Sequence, residues 1–346
     1  MNIFLYHIVF VIVMILVSAF FTRLMLKVGI LAQPNHRSSH DKPTPSGGGV
    51  GFVAVIIVSI ILFLFIIDGG LHGTHIFWLL GGSLVVAIAG FADDLGRLPT
   101  FKIKFLLQLC AVLMLFFGDL VVNQITIPAV GTISLGWWGY VITLIWIIGL
   151  TNVFNFMDGL DGIAASTAII TAFFFAVIAL FQNNILVFGF SYIIMASVLG
   201  FLPFNFPKAQ LFMGDVGSQF LGFLFAALSV FTITAIEVQL PVWLMPTLFL
   251  HFIFDAGFTV IRRLLSKQNI TEAHRAHLYQ LLNRLGWSHS SVSILYAFLG
   301  VLQGLTAIFM QDASPMTKII LLLAFISFYT ICTILIFRAA RVKNLI

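Results

Sequence analysis

The chain is predicted to be an all-α polytopic membrane protein, and three observations carry that class. Of its 346 residues 61% are hydrophobic and only 8% are charged, where a soluble domain has about 25% charged residues. The mean hydropathy is +1.12. Apolar runs of roughly 17–25 residues recur along the whole length, each long enough to cross a bilayer as a helix. No stretch reads as a soluble appendage, low-complexity tail or linker, so residues 1–346 are expected to form a single integral membrane domain.

Breaks in hydropathy divide the chain into eleven expected helices, near 3–22, 48–67, 76–93, 101–118, 138–154, 163–181, 185–203, 216–236, 240–263, 291–311 and 317–337. The first run has no basic residue before it and no small-residue cleavage signal after it; Arg23 and Lys27 follow instead. It is therefore read as a retained span rather than a signal peptide, with its N-terminus outside. Eleven spans then put the C-terminus in the cytoplasm. Lys and Arg test this orientation: Arg23, Lys27, Arg37, Lys42, Arg97, Lys102, Lys104, Lys208, Arg262, Arg263, Lys267, Arg275, Arg284, Arg338, Arg341 and Lys343 all fall on the side assigned as cytoplasmic, and only Lys318 falls outside. Cytoplasmic loops carry such an excess of positive charge. The net charge of +5 is thus a topology signal and not a nucleic-acid signal. One outer connection, about 119–137, is longer than the rest; with Pro128 and Gly131 it reads as a small β-hairpin. Cys110 and Cys332 lie inside predicted spans, where they build no disulfide framework or zinc spacing.

The chain has only 12 acidic residues. Acid groups beside a membrane are expensive and need a reason. Asp93 and Asp94 end the third span in GFADDLGR. Two adjacent carboxylates call for a cation or a raised pKa, although a solvated helix end is an equally ordinary reading. Arg97, four residues past Asp93, is a candidate ion-pair partner or phosphate ligand. NVFNFMDGLDG ends the fifth span. If a helical turn continues through it, Asn155, Asp158 and Asp161 share one face; Asp161 alone could instead cap the sixth helix. In FMGDVGS, Asp215 sits where the eighth helix begins, a place that suits phosphate and metal together. Phe212 could stack on a nucleobase, but in a chain with 38 Phe a lipid-facing role is the default for any one of them.

Gly47 to Gly49 in the first loop, NHRSSHDKPTPSGGG, read either as a phosphate cradle or as a turn into the second span. His274 and His277 in TEAHRAHLYQLL are too few to define a zinc site, and with Arg275 look more like phosphate ligands. His251 and Asp255 share a face of the ninth span and read as a buried structural pair. The topology gathers the Asp93, Asp158 and Asp215 motifs and both histidines of HRAH on the cytoplasmic side. Carboxylates and basic loops at one membrane face suggest a divalent cation and a phosphorylated substrate. A transporter would instead carry ionisable groups near midspan on broken helices, and a scaffold would leave the Asn, Asp and Gly motifs without a cause.

As a set, in order over about residues 34–285, these motifs resemble the polyprenyl-phosphate N-acetylhexosamine-1-phosphate transferases, the superfamily that includes the lipid I synthase of peptidoglycan and the initiators of O-antigen, enterobacterial common antigen and teichoic acid. The first loop and HRAHLYQ look closest to the O-antigen branch, which uses GlcNAc or a 6-deoxy-HexNAc such as FucNAc or QuiNAc. The resemblance implies transfer of HexNAc-1-phosphate from a UDP-N-acetylhexosamine to undecaprenyl phosphate in the bacterial inner membrane, with UMP released, and Mg2+ (or Mn2+) as cofactor. The partners it implies are these two substrates and the lipid bilayer, with no nucleic acid; a homodimer is compatible with it.

Residue by residue, it assigns Asp93, Asp94, Asp158, Asp161 and His277 to catalysis, with the Asp-Asp pair on the lipid phosphate. It puts Asn155, Phe212, His274 and Arg275 on the nucleotide-sugar, Arg97 and Lys104 on the phosphate or lipid, and the metal on Asp215. The chain departs from the family pattern twice: Arg97 stands where a third acidic residue is expected, and HRAHLYQ replaces a run of adjacent histidines.

Overall fold

A computed structural model describes residues 3–32, 44–68, 73–98, 100–127, 129–234, 240–268 and 275–345. Lipid cannot satisfy backbone polar groups, so apolar runs of this length close their own hydrogen bonds as helices. The elements in order are α1 (Ile3–Val28), β1 (Leu31–Ala32), β2 (Thr44–Pro45), α2 (Gly49–Asp68), α3 (Gly73–Asp94), α4 (Phe101–Phe117), β3 (Gln124–Ile127), β4 (Gly131–Ser134), α5 (Trp138–Met157), α6 (Ile163–Phe181), α7 (Ile185–Asn205), α8 (Gly214–Thr234), α9 (Leu244–Leu248), α10 (Leu250–Leu265), α11 (Leu278–Arg284), α12 (His289–Phe309) and α13 (Pro315–Val342). Among the described residues nine helices are long and apolar enough to cross a membrane; α4 and α10 are shorter. The chain is an all-α, multi-pass membrane protein.

Several helix starts are written locally. Asn184, Ser288 and Ser314 each accept a hydrogen bond from a backbone N–H three residues on, the usual N-cap arrangement. Pro315 occupies the first turn of α13, where its missing N–H is harmless. The expected hairpin is present, with β3 and β4 antiparallel and Ile125 opposite Ile133. Other details differ from expectation. Arg23 and Lys27 lie within α1, and Arg338 and Arg341 within α13, because both helices run past the apolar stretch.

The ninth span is broken at Phe249 into α9 and α10. Rings of Phe154, Phe225 and Phe252 surround Phe249, and its backbone stays bonded across the break, with its N–H donating to Met245 O (3.1 Å) and its carbonyl accepting from Ile253 N (2.9 Å), unlike the unwound backbone with which a transporter coordinates ions. α10 turns a polar stripe inward: His251, Asp255, Thr259 and Arg263, one turn apart, are all buried.

The core is centred on α8. Its span is 94% buried, against 17% for α1 and 11% for α13 at the lipid-facing periphery. α8 packs on α3, α5 and α2, while α7 packs on α6, α1 and α2. Close approach in a membrane relies on small residues. A Cβ on Gly90 would collide with the backbone of Asp215 and Val216, so this glycine sets the distance between α3 and the start of α8. It thereby brings Asp93 and Asp94 beside Asp215.

In the first loop, β1 pairs with β2, and residues 33–43 lie outside the described set. The amides of Gly48 and Gly49 donate to Phe212 O (3.0 Å) and Met213 O (2.8 Å). They are spent on a turn into α2, as the turn reading of this stretch has it, and the basic residues Arg37 and Lys42 of the same loop lie outside the described residues.

Candidate active site

At one end of the bundle, α3 and α8 deliver carboxylates, and α4 an ammonium, to a common point. Lys104, in the first turn of α4, extends its ammonium between Asp93 Oδ2 at 2.5 Å and Asp215 Oδ2 at 2.6 Å. All three side chains are about a quarter exposed, so the group sits at the edge of the protein rather than sealed inside it. The expected partner of Asp93, Arg97, is exposed on the turn after α3 and forms no ion pair with Asp93 among the described residues. Lys104 wins because it comes from a neighbouring helix directed into the cluster.

Asp94 has a different task. Its Oδ1 accepts from Asp215 N (2.9 Å) and its Oδ2 from Val216 N (3.1 Å). These are two of the N–H groups a helix start leaves without intrahelical partners, so Asp94 fastens the N-terminus of α8. Gly214 precedes them at φ 75°, and a Cβ there would strike the Asp94 carboxylate.

Asp215 is the most heavily bonded member. Besides Lys104, its Oδ1 accepts from Asn155 Nδ2 (3.0 Å) and its Oδ2 from Gln219 Nε2 (2.8 Å). Asn155 also donates to Ser218 Oγ (2.8 Å). Behind this layer, Gln219 Oε1 accepts from Gln108 Nε2 (3.1 Å), and Gln108 Oε1 accepts from Asn152 Nδ2 (2.9 Å). Gln108 and Gln219 are functional neighbours that the sequence analysis missed. A signal was present: each is a polar residue in an otherwise apolar helix, one turn after Lys104 and Asp215 respectively.

The Asn155–Asp158–Asp161 face does not form. α5 ends at Met157, Asp158 takes a non-helical conformation (φ −84°, ψ 54°), and Gly162 lies at φ 76°. The three side chains therefore diverge. Asn155 reaches Asp215. Asp158 is half-buried at the end of α5, where its carboxyl is raised to about 8, first by burial and then by the neighbouring carboxylates of Asp215, Asp94 and Asp161. Asp161 is buried and faces α12: its Oδ1 lies 3.4 Å from His289 Nδ1, and its carbonyl accepts from Ser293 Oγ (2.7 Å). It does not cap α6, whose N-cap is Gly162.

The HRAH segment leads into α11. His277 is buried, stacks on Tyr279 and leans against Phe156. Tyr279 OH donates to Phe156 O (2.9 Å) and presses so closely on Gly159 that a Cβ there has no room. Through Tyr279, α11 is fitted against the loop that carries Asp158. Asp255 organises the junction. It accepts from Leu278 N (2.7 Å), Tyr279 N (3.1 Å) and Tyr296 OH (2.6 Å), with His277 Nδ1 3.5 Å away. The His251–Asp255 pair is replaced by two separate arrangements, His251 bonding to the Gln303 amide (2.6 Å) instead. Arg275 is half-buried beside α11, and its carbonyl accepts from Arg284. Phe212 is half-buried, its amide donating to Pro45 O (2.8 Å). His274 lies outside the described residues.

The donor set can be tested against a metal. Among the described residues no three carboxylate, His or Cys side chains converge on one point; two carboxylates, Asp93 and Asp215, converge on the ammonium of Lys104. An all-oxygen pair already arranged around a positive charge, with an amide side chain beside it, fits Mg2+, which is usually held by one or two carboxylates plus substrate phosphates.

Residues 76–233, which include the Asp93, Asp158 and Asp215 motifs, match the sequence family described as Glycosyl transferase family 4. A probable undecaprenyl-phosphate N-acetylglucosaminyl 1-phosphate transferase of Bacillus subtilis is 30% identical over 329 residues, 94% of this chain and 89% of the relative. Phospho-N-acetylmuramoyl-pentapeptide-transferases are also similar. That of Staphylococcus saprophyticus is 30% identical over 81% of this chain and 89% of its own, and that of Listeria innocua 34% identical over 65% and 73%. With similarity extending over nearly its full length, the chain belongs to glycosyl transferase family 4 and is a phospho-sugar transferase.

Proposed function

We propose that the protein transfers N-acetylhexosamine-1-phosphate from a UDP-N-acetylhexosamine to undecaprenyl phosphate, releasing UMP, at a site facing the cytoplasm. The observation that carries this reading is the convergence of Asp93 and Asp215 on one cation, Lys104, at a bundle end. UDP-GlcNAc is the favoured donor, because the relative that spans 94% of the chain is named for N-acetylglucosaminyl transfer; a 6-deoxy-HexNAc is the alternative. The product would start a lipid-linked surface glycan of the O-antigen type.

In the proposed reaction an oxygen of the lipid phosphate attacks the β-phosphorus of the UDP-sugar. The bond from that phosphorus to the bridging oxygen breaks, and UMP leaves with the electron pair. Both reactants are anionic, so the site must supply positive charge in the transition state. Lys104 supplies one charge and orients Asp93 and Asp215. Asp215, with Asp93 and Asn155 alongside, would hold Mg2+, which when bound neutralises charge developing on the diphosphate. Asp94 holds the start of α8 in register, keeping the Asp215 side chain aimed at the site. Asp158, His277 and Arg275 are assigned to the nucleotide-sugar side, together with Phe212 and His274. Asp161 anchors their loop to α12, and Arg97 at the rim attracts the lipid phosphate.

The test is UMP release by the purified protein with undecaprenyl phosphate and a series of UDP-sugars, with and without EDTA. UDP-GlcNAc should support turnover, EDTA should abolish it, and Asp215→Asn should lower kcat by at least about a hundredfold, the loss typical of one strong transition-state contact. Full UMP release by Asp215→Asn, or release from no UDP-HexNAc, would overturn the assignment.

A further inference from the structure

An apolar groove of about 170 Å3 runs between α10 and α13, lined by Phe254, Phe258, Thr330, Thr333, Ile334 and Phe337. Each wall is a single helical stripe: the α10 pair is one turn apart, and the α13 residues repeat at spacings of three and four. Both stripes continue at the same spacing into arginine. Arg262 follows Phe258 by four positions, Arg338 follows Ile334 by four, and Arg341 follows Phe337 by four. Phe254 meets Tyr329, and Phe258, further along α10, meets Phe337, further along α13. The two helices therefore run in the same direction, and the three arginines share one end of the groove.

Arginines at a helix end are expected on topology grounds alone. Three features go beyond that. The guanidinium of Arg262 lies 5.1 Å over the Phe337 ring, which holds it at the mouth of the groove. Among the described residues its Nε, shielded from solvent, has no hydrogen-bond partner, and the bond its Nη2 makes to Ala276 O is long, at 3.4 Å. No acidic residue stands within six positions of Arg262 in the sequence, and α13 contains none.

We propose that this groove binds an anionic phospholipid, with one acyl chain against Phe254, Phe258, Ile334 and Phe337 and the headgroup phosphate accepting hydrogen bonds from Arg262, Arg338 and Arg341. A zwitterionic lipid brings its own ammonium, which uncompensated guanidinium groups repel, so the site selects net negative headgroups. The bound lipid ties α10 to α13. The end of α13 in turn holds α11, through Lys343 Nζ donating to Leu285 O (2.9 Å) and Arg284 Nη2 donating to Leu345 O (2.8 Å). The site is separate from the carboxylate cluster, and the proposal stands independently of the transferase reading.

Native mass spectrometry of the delipidated full-length protein, offered equal phosphatidylglycerol and phosphatidylcholine with identical chains, tests it. Phosphatidylglycerol adducts should predominate by at least about fivefold, the effect of a single arginine at a membrane surface. Arg338→Gln combined with Arg341→Gln should bring the ratio close to one. Thr330→Phe, which fills the groove and leaves every arginine in place, should also remove the preferred adduct. Soluble glycerol phosphate should not displace the lipid. Both variants alter exposed side chains, and unchanged circular dichroism checks that they fold. Equal retention of the two lipids, a wild-type ratio in either variant, or displacement by glycerol phosphate would overturn the proposal.

Discussion

Asp158 shows how one carboxyl is set by its surroundings. It lies at the end of α5, half-buried, with three carboxylates acting on it, and its pKa is raised from the ordinary 3.8 to about 8. The folded protein therefore holds a proton between about pH 4 and pH 8 that the unfolded chain releases. Stability follows the difference in bound protons, so this contribution favours the fold at the acid end and is lost as pH rises towards 8. In metal-free detergent solution the melting temperature of the wild type should fall from pH 5 to pH 8, and Asp158→Asn should melt with a shallower pH dependence. Identical slopes for the two proteins would show that Asp158 ionises normally. Part of this residue-level picture was legible in the sequence. Acids in an apolar chain marked Asp93, Asp158 and Asp215, but not their division of labour. Lys104 rather than Arg97 pairs with Asp93, and Asp94 spends both oxygens on the backbone of α8. Those choices depend on which helices are neighbours, and residue spacing along a single helix does not contain that.

At the scale of elements, the site rests on two helix starts, each fastened by a carboxylate from a different helix. Asp94 of α3 holds α8, and Asp255 of α10 holds α11. Asp255 had looked like a structural partner of His251; its contacts with the start of α11 could not be foreseen, because α11 is a seven-residue helix too short and too polar to register as a span. Replacing Asp255 by Ala leaves the N–H groups of Leu278 and Tyr279 and the hydroxyl of Tyr296 buried without their acceptor, at about 1–3 kcal/mol for each group left unsatisfied. Asp255→Ala should lower the melting temperature and make the 265–285 segment more readily cleaved by protease. Asp255→Glu, which keeps the acceptor, should recover part of both. If α11 is fitted against the Asp158 loop for the sake of the nucleotide-sugar, the Ala variant should also raise KM for the UDP-sugar more than it raises KM for the lipid. Equal changes in both would mark the cap as purely structural.

For the whole molecule, hydropathy was enough to locate every major helix, because the length needed to cross a bilayer is a hard constraint. The break at Phe249 escaped it, since both sides of the break are apolar and aromatic rings fill the gap. Orientation rests on a separate physical signal, the distribution of Lys and Arg, with 16 of the 17 assigned to one side. The fold supplies landmarks for testing it. The β3–β4 hairpin, with Ile133 exposed, lies in the connection between α4 and α5, while the exposed turn carrying Gly96 and Arg97 lies between α3 and α4 beside the carboxylate cluster. These two connections sit at opposite ends of α4, so they must face opposite sides of the membrane if α4 crosses it. After Cys110 and Cys332 are replaced by Ser, a single cysteine at Ile133 should react with a membrane-impermeant maleimide in intact cells. A cysteine at Gly96 should react only after permeabilisation. The reverse pattern would put the site outside, where no UDP-sugar pool is expected, and labelling of both positions in intact cells would show that α4, only 17 residues long, does not cross.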